Sequence, residues 1–118
     1  MALRADRIIY SDEADAVINQ LLSSMKPEHV SIRKRIAYLD ERLVEDCQSG
    51  EVIPLPLSKK GRPLETRHAP LHNLYCCDLP AFWRFLYTII RDGPRRIVYV
   101  LEIVDHPTYD RWFPERGR

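Results

Sequence analysis

The chain is poor in the features that would explain it cheaply. It has three cysteines, Cys47, Cys76 and Cys77. An odd count with two of them adjacent is a poor disulfide framework. Neighbours on a strand point to opposite faces, so Cys76 and Cys77 are not expected to bridge. There is no C-x-x-C pair and no zinc-ligand spacing, and reduced thiols in a reducing compartment are expected. No stretch approaches the roughly 18 consecutive apolar residues of a membrane span. Positions 1–7 are charged too early for a secretory leader, which points to the cytoplasm. Internal repeats and low-complexity tracts are also missing. What remains is ordinary for a globular protein: 118 residues, 45% hydrophobic and 30% charged. One domain over 1–118 is expected.

The net charge of +1 conceals two unlike halves. Residues 1–55 carry 7 Lys/Arg against 10 Asp/Glu (net −3), and residues 56–118 carry 11 against 7 (net +4). A basic half can attract nucleic acid, although an excess this small is common on indifferent surfaces.

The acidic half reads as helical. Arg7–Tyr10 is a short β-branched and aromatic run, a first strand. Ser11 stands as a helix N-cap, with Asp12, Glu13 and Asp15 in the first turn, where the helix dipole favours anions. Ala14, Val17, Ile18, Leu21 and Met25 make one apolar face. Ser23, Ser24 and Pro27 end that helix, and Pro27 opens a second one. The second carries Ile32, Ile36, Leu39, Leu43 and Cys47 on its apolar face, with Gly50 as its C-terminal cap. A short link makes the two helices an antiparallel hairpin.

Val52–Leu71, with four prolines, reads as a basic loop with at most one short extended piece. Leu74–Leu79, Phe82–Arg91 and Arg96–Val104 read as strands, the last two joined by a turn at Asp92-Gly93-Pro94. Asp105 or His106 caps a final turn that begins with Pro107. The expected fold class is therefore α+β: an antiparallel meander sheet, an N-terminal helical hairpin packed on one face, and the other face free to bind. The first strand joins as an edge or beside the last strand.

Arg84 is the conspicuous residue. It interrupts an aromatic and aliphatic strand, and a charge inside a buried strand is costly unless it is paired or used. The turn places it opposite Leu101, Glu102 or Ile103, so a cross-strand ion pair with Glu102 stands beside an anion-binding role. His106 and Tyr109 are three apart, on one side of a helical turn. They read either as a cap and a packed tyrosine or as an acid–base pair. An imidazole ordinarily titrates near pH ~6.5, and a phenol near ~10 needs cations beside it to act as a base. Arg84 or Arg111 can supply that cation. Lys59, Lys60, Arg62 and Arg67 read either as a solvated loop or as backbone contacts to RNA. His68 and His72 lack nearby acidic ligands in the sequence, so no metal site is expected there. Trp83, Trp112, Phe82 and Phe113 are expected in the core, with Trp112 and Phe113 alternatively packing against a partner chain.

The second half, Asn73-Leu74-Tyr75, Phe82-Trp83-Arg84-Phe85-Leu86-Tyr87, Ile97–Val104 and Asp105-His106-Pro107-Thr108-Tyr109-Asp110, resembles the RelE/ParE-like toxin superfamily of toxin–antitoxin pairs. The likeness covers about residues 7–113 and is specific in the last part. It implies a ribosome-dependent endoribonuclease, an mRNA interferase without metal or other cofactor, in which a ribose 2′-oxygen attacks the neighbouring phosphate. Arg84, His106 and Tyr109 then match the catalytic positions, and Lys59, Lys60, Arg62, Arg67 and Arg111 the RNA-binding ones. The implied partners are a cognate antitoxin, the ribosome and mRNA. No membrane is implied, and DNA only through an antitoxin complex. This sequence departs from the pattern at Tyr75 and Cys77, where cleaving members often carry lysines. A non-catalytic protein-binding module of the same fold and a ParE-like gyrase-directed toxin are the alternatives.

Overall fold

The computed structural model describes residues 2–57, 64, 68 and 70–114. Strand β1 (Arg7–Tyr10) leads into α1 (Asp12–Leu22) and α2 (Pro27–Glu45). Then come β2 (Glu51–Val52), β3 (Tyr75–Asp78), β4 (Arg84–Asp92), β5 (Arg95–Val104) and α3 (His106–Trp112). None of the described helices is long and apolar enough to cross a membrane.

The fold is α+β, with strand order β1-β5-β4-β3-β2. The meander from β2 to β5 is antiparallel as expected. The sheet as a whole is not: β1 lies parallel to β5, with Ile8 opposite Val98 and Tyr10 opposite Val100. The reason is topological. The helical hairpin between β1 and the rest returns the chain across the sheet, and a crossover of that length permits parallel pairing.

Local chemistry accounts for the helices. Ser11 Oγ accepts from the Ala14 amide at 3.0 Å, the N-cap that the sequence signals. Arg33 of α2 reaches back to the carbonyls of Leu21 (2.5 Å) and Ser24 (2.7 Å), satisfying acceptors at the end of α1. Gly50, however, is not the cap of α2. That helix ends at Glu45, with the Asp46 amide bonded to Arg42. Gly50 is small for another reason: an added Cβ would lie 2.7 Å from the Tyr87 hydroxyl. That hydroxyl accepts from the Gly50 amide at 3.1 Å and donates to the Cys47 carbonyl at 2.7 Å.

Both faces of the sheet are covered, contrary to the expectation of a free one. On the first face Ala14, Leu21, Ile32, Ile36, Leu39 and Leu43 of the helices meet Tyr75, Phe85, Tyr87, Val98, Val100 and Ile103. On the second, Ile53, Leu57, Leu64 and Leu74 join Cys76, Leu86, Leu101 and Val104, with Tyr109, Trp112 and Phe113 closing the cluster. The prolines conceal this pattern. Apolar residues recur between them, and the described ones, Ile53, Leu57 and Leu64, belong to a second core layer whose spacing in the sequence has no helical or strand period. Trp112 and Phe113 belong to this core, whereas Phe82 is 63% exposed.

One irregularity sets the geometry of the second face. Leu86 pairs with Glu102, but Tyr87 pairs with Val100, leaving Leu101 as an extra residue in β5. Such a bulge shifts the alternation of every residue beyond it. The Leu101 carbonyl accepts from Ser11 Oγ at 2.6 Å, so one buried hydroxyl both caps α1 and ties down the bulge. Ser11→Ala should destabilise the chain by about 1–3 kcal/mol, read as a lower urea midpoint at unchanged slope. A midpoint equal to wild type would contradict this account.

Candidate functional site

Arg84 opens β4 and does not lie within it. Pro80–Phe82 forms a 3-10 turn, in which Ala81 and Phe82 both have positive φ (60° and 63°). Non-glycine residues there are strained, and strain of this kind concentrates at binding and active sites. The turn throws Phe82 outward and lets Trp83 lead into the strand. The bulge then places Arg84 opposite Val104, not Glu102. The expected Arg84–Glu102 ion pair does not form: the turn register, with Asp92 opposite Arg95, already points Arg84 at Ile103, and the bulge moves it one residue further. Arg84 Nε lies 3.3 Å from Asp78 Oδ1, its cross-strand neighbour on β3. Its Nη1 donates to the Trp83 carbonyl at 3.2 Å.

The guanidinium carbon stands 4.9 Å from the centroid of the Tyr109 ring, a cation–π contact. Arg84 and Tyr109 are thus brought together. The Arg84 side chain is 12% exposed, its partner Asp78 is 84% exposed, and Tyr109 is buried. The guanidinium is mostly covered, and its ion pair with a solvent-bathed carboxylate contributes little.

His106 sits one turn before Tyr109, at the start of α3, which Asp105 caps through the Thr108 amide at 3.1 Å. Its ring lies 5.5 Å from that of Phe82. Nδ1 is buried and 3.1 Å from Asp110 Oδ2, without the geometry of a hydrogen bond. The imidazole thus shares the end of the sheet with Arg84 and Tyr109, held from behind by Asp110. Arg111 is exposed and bonds to Thr108 Oγ1 at 3.3 Å. Lys59, Lys60, Arg62 and Arg67 lie outside the described residues.

Tyr75 and Cys77, which stand where cleaving toxins often carry lysines, belong to the helix-side core. Tyr75 stacks on Tyr87 at 5.2 Å. Arg84 pairs with Asp78, one residue along from Cys77, so the strand alternation carries it to the other face. Side chains at 75 and 77 therefore do not converge with Arg84.

A second cluster went unnoticed in the sequence. His68 Nε2 lies 2.9 Å from Glu102 Oε2, with both side chains covered (5% and 4% exposed). Glu13, from the first turn of α1, brings its carboxylate to the same place, all three ligand atoms lying within 4.8 Å of one another. His68 lacks acidic neighbours in sequence because the fold supplies them from distant elements. The only local signal was an acidic residue in an otherwise aliphatic strand, and it was assigned to Arg84. A cleft of about 570 Å³ opens beside His68, lined also by His72, Asn73, Thr88, Arg91 and Tyr99.

The architecture is the RelE/ParE-like toxin fold. The YoeB/ParE toxin from Agrobacterium tumefaciens superposes on it with a TM-score of 0.50. The match spans 85% of this chain and 98% of that one, at 14% sequence identity. No protein-family model matches the sequence, and no curated protein matches it.

The thiols have no reactive character. Burial pushes Cys76 up to about 12, only partly offset by the Arg84 charge. Burial pushes Cys77 up to about 11 against the pull of Arg35. A folded-state value above the unfolded one means that the folded chain keeps its proton longer, so stability is complete below pH ~9 and falls as pH rises toward the folded values. Burial likewise raises the phenols of Tyr10 and Tyr87, adding loss in the same direction. Urea midpoints should fall steadily from pH 8.5 to 11. The thiols should react with a disulfide reagent at pH 8 far more slowly in native than in urea-unfolded protein. A flat midpoint or equal thiol rates would contradict this.

Proposed function

We propose that this protein is the toxin of a toxin–antitoxin pair and cleaves messenger RNA on the ribosome. The observation that carries the reading is the Arg84–Tyr109 contact at the end of the sheet, within a toxin fold. The proposed reaction needs a cation for the phosphorane charge and proton carriers for the 2′-hydroxyl and the leaving 5′-oxygen. Arg84 is the cation. Its planar fork matches two phosphate oxygens, and a phosphate displaces the weakly held Asp78. Tyr109 aims the guanidinium with its ring and sets a phenol beside it. His106 exchanges a proton with the ribose or the leaving oxygen, with Asp110 3.1 Å behind its Nδ1. Exposed Phe82, beside His106, offers a ring for a base to stack on. Lys59, Lys60, Arg62, Arg67 and Arg111 hold the RNA backbone by charge. An antitoxin that covers this end of the sheet silences the protein. The reaction takes place in the cytoplasm and draws on no cofactor.

The small exposure of Arg84 and Tyr109 favours a second reading, a non-catalytic member of the fold that acts by binding protein, DNA gyrase included. Inducible expression separates the two. Wild type should arrest growth, and purified protein should leave new 5′-hydroxyl ends on mRNA in translating ribosomes. Arg84→Ala should abolish both while costing about 1 kcal/mol of stability, since a cation–π contact and a weak ion pair are lost. Arg84→Lys should retain the fold and only part of the activity. Full growth arrest by Arg84→Ala would overturn the nuclease reading, and inhibition of gyrase supercoiling without ribosomes would replace it.

A further inference from the structure

We propose that Glu13, His68 and Glu102 form a binding site for one divalent transition ion of the zinc or manganese class. One imidazole nitrogen and two carboxylate oxygens are a donor set that suits such ions. The spacing also suits them. Bonds of about 2.0–2.2 Å in a tetrahedral site put donors roughly 3.3–3.6 Å apart. His68 Nε2 and Glu102 Oε2 stand at 2.9 Å, and the whole set lies within 4.8 Å, so the covered pair opens by about half an ångström and the Glu13 carboxylate closes by about one. Glu13 is half-exposed on the first turn of α1, and the other two side chains are covered.

The surroundings support a cation. A cleft of about 530 Å³ runs between His68, Tyr99 and the start of α1. It leaves room for water at the position that three protein ligands would leave open. On binding, the ion displaces the proton that lies between His68 Nε2 and Glu102 Oε2, and a neutral ring then carries its proton on Nδ1. Both carboxylates have other contacts within the chain, so the ion is held in competition with them. The ligands come from α1, the segment before β3, and β5. A bound ion is therefore a cross-link between the two layers, and it stabilises the folded chain alone. Arg84 takes no part, so this proposal stands or falls independently of RNA cleavage.

Chelator-treated full-length protein titrated separately with zinc and manganese by calorimetry should take up one ion per chain with at least one of them. Its melting temperature should rise with that ion in excess. Glu13→Gln and His68→Asn should each weaken binding by at least about tenfold and remove the thermal shift. Glu13→Gln is the safer variant, because its side chain is not part of the covered core. Absence of saturable binding by both ions would overturn the proposal. So would wild-type affinity in Glu13→Gln and His68→Asn with their folds verified by circular dichroism, since the ion would then sit on other donors such as His72.

Discussion

A single hydroxyl ties the two halves of the molecule together. Ser11 Oγ accepts from the first turn of α1 and donates to the carbonyl of Leu101, the residue that does not fit the β4–β5 ladder. A bulge frees a carbonyl from its strand partner, and a buried carbonyl without a partner is expensive. The cap residue of α1 supplies the partner. In doing so it holds the first turn of that helix, with Glu13, against the part of β5 that carries Glu102. Everything beyond the bulge follows from that tie. Glu102 turns toward the second face and Ile103 toward the helices, and Arg84 comes opposite Val104.

The two ends of the second face then differ in chemistry. Around Arg84 a cation lies on the Tyr109 ring, with a weakly held carboxylate at its edge. Around Glu102 a carboxylate and an imidazole are covered together, with Glu13 beside them. A buried charge must have a partner, and here each found one other than the expected one. The extra residue puts Arg84 and Glu102 on the same face but two positions apart along the ladder, and each has a different partner there. The strained turn at Ala81 and Phe82 adds to the asymmetry, since it holds an aromatic ring in solvent next to His106.

Much of the fold was legible. The cap at Ser11, the proline start of α2, the tight β4–β5 turn and the cap at Asp105 are all local, and each is written in residues within a few positions of one another. The apolar spacing of α1 and α2 was enough to name their buried faces except at Met25, which lies beyond the end of α1 and is 84% exposed. The candidate site was less so. Arg84 stands out as a charge in an aromatic strand and Tyr109 by its spacing of three from His106, and Arg84 and Tyr109 do meet. Glu102 is legible only as a candidate cross-strand partner of Arg84, and its neighbour is His68 instead. The layer over the second face was missed outright, because Ile53, Leu57, Leu64 and Leu74 follow no period that a pattern search recognises.

The sequence by itself determined the elements, their order and their class, since propensities, caps and turns act over a few residues and need no partner from elsewhere. Only the tertiary structure decided the parallel pairing of β1, the covering of both sheet faces and the company kept by Arg84, His68 and Glu102. Those depend on register, and a register moves by one residue wherever a bulge is energetically allowed. Whether it is allowed depends on whether some distant group, here the hydroxyl of Ser11, can satisfy the carbonyl that it frees.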